Sequence, residues 1–420
     1  MGTRYSRNAR SQYRQSPRSK KSRIGTRSRA LAVASRRKSE AAGRLTRCVA
    51  ARAEPEAPVT TRAHAKIARN TRRRARSASS SASGRALHCA LTFAPPPSPS
   101  CFRDISALIS HAPAPGRLKI ATRESALALW QAGHVRTRLL QLYPSTVVEL
   151  LGVKTTGDRV VDRPLAAIGG KGLFIKELEI AMDEGRADLA VHSLKDVPMN
   201  MPPDFVLACI PAREDPRDAL VSNRYGSLRD LPPGARVGTS SLRRAAQLLE
   251  RHEHLVIEPL RGNVDTRLRK LDEGRYDAMI LAAAGLKRLG LGTRIAALLD
   301  PQECLPAPGQ GALALECRAE RRDVIAALTP LEDIGATLAI TAERAFSREL
   351  GGSCQTPLAA YAEWSEGALR LRGLIAASDG RDVLRGDVEA VIADVHAADA
   401  LGQRLAGDLL VRGAARLIVI

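Results

Sequence analysis

Three sets of residues in this chain have the types and spacing to do chemistry. The first is Lys195 beside Asp196, in the stretch Asp188-Leu-Ala-Val-His-Ser-Leu-Lys-Asp-Val-Pro198. A short β-favouring run from Asp188 to Val191 ends in a polar turn closed by Pro198, the pattern of a buried strand delivering side chains to its carboxyl end. Open α/β folds place ligands and chemistry at such ends. In a half-enclosed site Asp196 could hold or move a proton, with Lys195 at hand to keep it ionised or a pocket to raise its pKa. Taken alone, the pair is weak as a site, and solvated turn charge is the plainer reading.

The second set is basic and repetitive. Thr239-Ser-Ser-Leu-Arg-Arg244 opens one helix with Ser241, Arg243 and Arg244; Arg261-Gly-Asn-Val-Asp-Thr-Arg267 opens the next, with Asn263 as its cap; Gly285-Leu-Lys-Arg288 follows a third strand. Guanidinium groups grip carboxylates and phosphates in two-pronged fashion, and hydroxyl-capped helix starts add backbone donors. Three such turns in succession on one sheet edge point to a polyanion pocket rather than a solvated edge. Arg123 and Ser125 occupy a further strand-to-helix junction, where free N–H groups favour an anion. Lys171 is the charged tip of Gly169-Gly-Lys-Gly172, in a loop of about eighteen residues that reads as a lid or binding loop.

The third is a single thiol. Seven cysteines (48, 89, 101, 209, 304, 317 and 354) are scattered without Cys-x-x-Cys spacing. Neither a disulfide framework nor a metal site is expected, and a reducing compartment fits. Cys354 alone sits in a turn of small residues, Gly351-Gly-Ser-Cys, where the sulfur would be accessible as a covalent anchor; an inert surface cysteine is the plainer alternative.

The elements that must position these groups follow a βα rhythm. Strand Leu118–Ala121, with Thr122 as cap, leads into a helix from Glu124 to Leu142; strands are expected at 147–153, 188–191 and 205–210, with a helix at 173–183. A second unit repeats the pattern with strands at 236–238, 254–257 and 277–282 and helices at 242–251 and 264–273. This implies parallel, doubly wound sheets. Irregular crossings at 211–216 and 304–311 would join the two units into a two-lobed clamp. A helix at 334–350, strands at 358–363, 369–377 and 383–391 and a closing helix at 397–410 form a small α+β third unit. The expected division is 113–213 with 310–328, 214–309, and 329–420.

Charge locates the remaining segment. Of the 65 Lys/Arg and 44 Asp/Glu, 25 and 4 fall within residues 1–110, leaving 40 of each sign in the body, so the whole +21 excess belongs to the N-terminal stretch. Residues 1–112 are rich in Arg and Ser and lack apolar periodicity, which predicts disorder. A transit sequence, a nucleic-acid-binding arm and an upstream frame read from a mis-set start all fit that composition. No run approaches the roughly 18 apolar residues of a membrane span.

Together the motifs resemble the porphobilinogen deaminase (hydroxymethylbilane synthase) family over residues 117–420. The matching stretches are Ile120-Ala-Thr-Arg-Glu-Ser-Ala-Leu-Ala, Gly169-Gly-Lys-Gly-Leu-Phe, Val191-His-Ser-Leu-Lys-Asp-Val-Pro, Gly238-Thr-Ser-Ser-Leu-Arg-Arg, Arg261-Gly-Asn-Val-Asp-Thr-Arg-Leu, Pro308-Gly-Gln-Gly and Gly351-Gly-Ser-Cys. The resemblance implies a transferase that joins four porphobilinogen molecules head to tail with loss of ammonia and releases hydroxymethylbilane. It implies a dipyrromethane cofactor on Cys354, Asp196 as catalytic carboxylate, and Arg123, Ser125, Lys195, Ser241, Arg243, Arg244, Arg261, Arg267 and Arg288 on the acetate and propionate groups, with Lys171 in the lid. A cytoplasmic monomer is expected, or an organellar protein if residues 1–112 are a transit sequence; no membrane and no nucleic acid is expected for the folded body. A two-lobed clamp also suits a solute receptor of the periplasmic type, for which Cys354 and the third unit would have no use.

Overall fold

The computed structural model describes residues 115–159, 172, 174–352 and 356–418. The expectations for the basic extension, for Lys171 and for Cys354 lie outside the described residues.

The first sheet is built from β1 (Arg117–Arg123), β2 (Val147–Val153), β3 (Leu189–Ser193) and β4 (Phe205–Cys209), with α1 (Ala126–Leu142), α2 (Thr156–Arg159) and α3 (Lys176–Asp183) between them. β1 carries buried residues on both faces, Leu118 and Ile120 on one and Ala121 on the other, as a strand covered by helices must. It runs on through Thr122, so the helix cap is not Thr122 but Ser125, whose hydroxyl accepts from Ala128 N at 3.3 Å. Thr122 is fully buried and donates instead to the Ala128 carbonyl at 3.1 Å.

After β4 the chain crosses to a second sheet: β5 (Asp218–Val221), β6 (Arg236–Gly238), α4 (Leu242–Arg251), β7 (Val256–Glu258), α5 (Val264–Asp272), β8 (Ala278–Ala282), α6 (Ala283–Arg288) and β9 (Ala297–Leu298). It then returns as β10 (Leu313–Arg318), followed by α7 (Arg322–Leu328). Strand orders are β2-β1-β3-β10-β4 and β7-β6-β8-β5-β9. Each sheet is parallel except for one strand. β10 runs antiparallel to β3 and β4, and β5 runs antiparallel to β8 and β9. Purely parallel sheets were expected; the exceptions are the two strands that immediately follow the crossings, entering each sheet in the direction the crossing leaves them.

The crossings run side by side, with Glu214 N donating to Gly311 O at 3.2 Å. Glycine is required on the return path. Gly309 and Gly311 have φ of +71° and +91°, and a Cβ would lie 2.0 Å from Leu194 Cδ2 at the first and 2.2 Å from Glu214 O at the second.

The third sheet, β11 (Leu358–Ser365), β12 (Ala368–Ala376) and β13 (Val383–Ala390), is an antiparallel meander covered by α8 (Ile334–Glu349) and α9 (Val395–Val411). Phe346 of α8 is fully buried among Leu369, Leu371, Leu401 and Leu405. α8 and α9 approach closely at Gly402, where a Cβ would stand 2.3 Å from Ala342 O. At Gly407, on the same helix, nothing lies within 4 Å and the residue is exposed. The two glycines therefore respond in opposite senses to a side chain. Gly402→Leu will lower stability by about 1–3 kcal/mol through overpacking, whereas Gly407→Ala will raise it by about 0.5–1 kcal/mol by relieving the entropy cost of glycine in a helix. Thermal unfolding of the two variants beside the parent checks this; midpoints that move the same way would refute it.

Candidate active site

The turn after β3 is a single 3-10 turn, Leu194–Asp196, anchored by Leu194 N on Ala312 O at 3.1 Å. Leu194 is fully buried and its side chain fixes the turn, leaving Lys195 and Asp196 half-buried at the end of the sheet. Burial pushes the Lys195 ammonium down to about 8, reinforced by the Arg244 and Arg243 charges and opposed by Asp196 and Asp218. Arg267 is likewise lowered, to about 10, by burial and by Arg244 and Arg261, with Asp196 opposing. These mutual effects put Lys195 and Asp196 from the first sheet and Arg243, Arg244, Arg261 and Arg267 from the second in one electrostatic neighbourhood.

A buried carboxylate absent from the sequence expectations organises that neighbourhood. Asp218, the first residue of β5, is fully buried; its Oδ1 accepts from Arg244 Nη2 at 2.7 Å and Nε at 3.0 Å and from Gln310 Nε2 at 2.8 Å. Its Oδ2 faces Arg243 Nη2 at 2.8 Å and Cys304 Sγ at 3.3 Å. Burial opposes its charge, but the two guanidiniums and the bonds from Arg244 and Gln310 hold it well below the usual carboxylate range. Arg243 also donates to Leu305 O and Arg244 to Ile280 O. Both arginines, expected to face ligand, are thus buried and bound in large part within the chain.

The other expected residues divide similarly. Arg123 is bonded to Asp158, an ion pair that sits against Thr155, and its guanidinium lies 4.2 Å from the Phe174 ring centroid. Arg288 donates to Gly311 O at 2.6 Å and lies 5.9 Å from the Trp130 ring centroid. Ser125 and Ser241 cap α1 and α4. Arg267 Nε donates to Gly262 O at 2.8 Å, which aims the start of α5. Arg261 is half-buried. Sequence reasoning missed Asp218, Gln310 and Glu343. For Asp218 the available signal was a lone carboxylate opening the apolar run Ala219-Leu-Val221; Gln310 was in view only as part of a glycine-rich crossing.

Two α/β lobes joined by paired crossings, with cations from both gathered around a carboxylate and a separate α+β domain attached, define a two-lobed protein built to handle a polyanion. The descriptions of two family models match the chain: porphobilinogen deaminase, dipyrromethane cofactor binding domain, over residues 118–326, and porphobilinogen deaminase, C-terminal domain, over residues 337–411. Curated relatives named porphobilinogen deaminase include one from Ralstonia nicotianae, 61% identical over 304 residues that span 72% of this chain and 91% of the relative. Another, from Paraburkholderia phytofirmans, is 60% identical over 72% of this chain and 89% of its own length. This chain belongs to the porphobilinogen deaminase family. Among solved structures, the methionine-binding protein MetQ aligns with 51% of this chain and 89% of its own at 14% identity and a TM-score of 0.35. The VFT2 domain of Bordetella pertussis BvgS aligns with 54% and 89% at 17% identity and 0.30.

The residues present suit a polyanionic dipyrromethane. Lys195, Arg243, Arg244, Arg261 and Arg267 outnumber Asp196 and Asp218, and burial first, then neighbouring arginines, lower the proton affinity of Lys195 and Arg267. Because Lys195 titrates near 8 in the protein alone, it is charged below that pH and neutral above it. Binding of a small dicarboxylate such as succinate to cofactor-free protein will accordingly weaken by about tenfold between pH 7 and pH 9, the loss of one charge-assisted hydrogen bond. Lys195→Arg will abolish the decline. Calorimetric titration across that range is the check, and a decline of equal size in the arginine variant would assign it to another group.

Proposed function

We propose that this protein joins four porphobilinogen molecules head to tail, releasing ammonia at each addition and finally linear hydroxymethylbilane, with a dipyrromethane held covalently by Cys354 as primer. The observation that carries the reading is the excess of half-buried and buried cations from two lobes, Lys195, Arg243, Arg244, Arg261 and Arg267, over the two carboxylates among them, Asp196 and Asp218. Each porphobilinogen brings two carboxylates, so a growing chain needs such an excess at every stage.

The dipyrromethane supplies a pyrrole carbon as the acceptor for the first addition. The chain's own residues do the rest. Asp196 holds the proton on the departing amine and then stands against the positive charge left on the pyrrole methylene, an electrostatic task suited to a carboxylate fixed at a strand end. Lys195, Arg261 and Arg267 take acetate and propionate groups directly. Arg243 and Arg244 contribute the donors that Asp218 leaves over, and Arg123, Ser125, Ser241, Arg288 and, from the loop, Lys171 complete the carboxylate contacts. The three sheets support the division into 113–213 with 310–328, 214–309, and 329–420, since each draws its strands from one of these sets. The protein acts on this small molecule as a cytoplasmic monomer, without membrane or nucleic acid. No single helix among the described residues is long and apolar enough to cross a membrane, and Cys209, Cys304 and Cys317 are buried free thiols, at home in a reducing compartment.

Two measurements test the reading. The denatured intact mass of freshly purified protein will exceed that of Cys354→Ala by two linked pyrrole units beyond the substitution itself; pyrrole mass retained by the alanine protein would move the anchor elsewhere. Asp196→Asn will keep its thermal midpoint and its cofactor while turnover of porphobilinogen falls by at least about a hundredfold, the lower end of the range for losing a positioned acid–base group. Near-normal turnover would remove Asp196 from its assigned role.

A further inference from the structure

α8 touches both the Asp196 turn and the crossings, through two consecutive residues. Glu343, fully buried, accepts from Arg213 Nη1 at 2.6 Å in the outgoing crossing, from Gly309 N at 2.7 Å in the return crossing and from Ala362 N at 2.8 Å in β11. Every one of these contacts is explained by satisfying a buried charge. Arg344 is different. It is 9% exposed, and its Nη2 donates to the carbonyls of Pro198 at 2.7 Å and Met199 at 3.1 Å, the residues that close the Asp196 turn. Its Nη1 is buried with no hydrogen-bond partner, and no ion pair to Arg344 occurs among the described residues.

For stability this is a poor use of the position. Ala336, Ile340 and Arg344 follow one another at four-residue spacing along one stripe of α8, and the first two pack in the same apolar cluster as Leu194 and Val197 of the turn. An apolar third member would extend that cluster, and replacing a buried charge with a well-packed hydrophobic residue is often neutral or stabilising. Burial drags the Arg344 guanidinium down to about 10, with Arg348 adding to the effect, which registers the same cost.

We infer that Arg344 is a positioning residue for the reaction, clamping the turn that carries Asp196 to the helix that precedes Cys354 in the chain. α8 ends at Glu349, and Cys354 lies five residues beyond, so one rigid helix sets both the carboxylate and the start of the segment that bears the anchor. The guanidinium reaches two successive carbonyls with one nitrogen, which fixes the turn in a way an apolar side chain cannot.

This inference rests on the roles proposed above for Asp196 and Cys354. The test uses the full chain with its cofactor, Arg344→Met and Arg344→Lys beside the parent, with turnover of porphobilinogen normalised to the cofactor-loaded fraction read from intact mass. The methionine variant is expected to lose about 10- to 100-fold in kcat per loaded molecule, the range for a small misplacement of a reacting group. Its KM should stay within about twofold of the parent's, because the carboxylate-binding cations are untouched. Its thermal midpoint should move little, relief of the buried charge offsetting two lost hydrogen bonds, and Arg344→Lys should fall between methionine and parent because an ammonium can still donate to the same carbonyls. Methionine protein that turns over as fast per loaded molecule as the parent, or whose whole loss is fewer loaded molecules, overturns the inference. If Arg344→Met does not fold, the same normalised comparison is made on Arg344→Lys, and an unchanged rate there overturns it equally. Failure of the parent to carry pyrrole mass or to turn over would instead strike the functional reading.

Discussion

The structure depends on how a few carboxylates are shared among many cations where the two lobes meet. Asp218 is the clearest case. Placed at the first residue of β5, with no solvent contact, it neutralises one positive charge while touching two guanidiniums, and Gln310 from the return crossing bonds the same oxygen as Arg244. A buried carboxylate with that many donors is stable as an anion, and a buried arginine beside it is stable as a cation. The sharing is deliberately incomplete in its effect. One net positive charge remains on the Asp218 cluster, next to Lys195 and Arg267, and it is this remainder that an anionic ligand can meet.

The crossings make the sharing possible. Asp218 begins the strand that follows the outgoing crossing, while Gln310 lies in the return crossing, so the cluster is assembled only if the two segments run together. The glycines at 309 and 311 permit the approach, Arg213 Nε donates to Gln310 O at 2.9 Å, and Glu343 from the third domain accepts from both segments. The inserted antiparallel strands β5 and β10 belong to the same device, because each carries a crossing straight into the other sheet, one strand in from its edge. A hinge held this way couples the geometry of the cation cluster to the placement of α8.

Much of this was legible in the sequence, and what was not has physical reasons. The regular βα units, the third-domain meander and the cap at Asn263 follow from periodicity and turn chemistry, which are local. Ser125 was passed over as a cap because Thr122 is an equally good capping residue, and only the strand pairing of β1 through Arg123 with Val153 decides between them. β5 and β9 are four and two residues long, too short for any period to show, and β5 opens with a charged residue whose partners are 25 or more positions away. α6 and α7, of six and seven residues, were missed for the same reason of length. At the site, the residue types that bind anions could be named, but not which of them the fold would spend on itself. Arg243 and Arg123 look alike in sequence to Arg261; burial against Asp218 sets Arg243 apart, and pairing with Asp158 sets Arg123 apart. Arg344 carried no signal at all, since an arginine in an amphipathic helix is ordinarily a solvated one.

The same bookkeeping of charge connects binding to protonation. Lys195 and Arg267, whose proton affinity is lowered by burial and by neighbouring arginines, hold their protons more firmly when an anion arrives, because each carboxylate that enters offsets part of that repulsion. Lys195, at about 8 in the protein alone, is the group for which this matters near neutrality; Arg267, at about 10, stays charged throughout. A ligand that binds the folded protein and not the unfolded chain also adds to stability by mass action. Where the ligand is a covalently held polyanion, it becomes a permanent counter-ion to the cluster, offsetting a repulsion that the bare protein carries, and the carboxylates of each incoming pyrrole then meet a site whose cations are already partly neutralised.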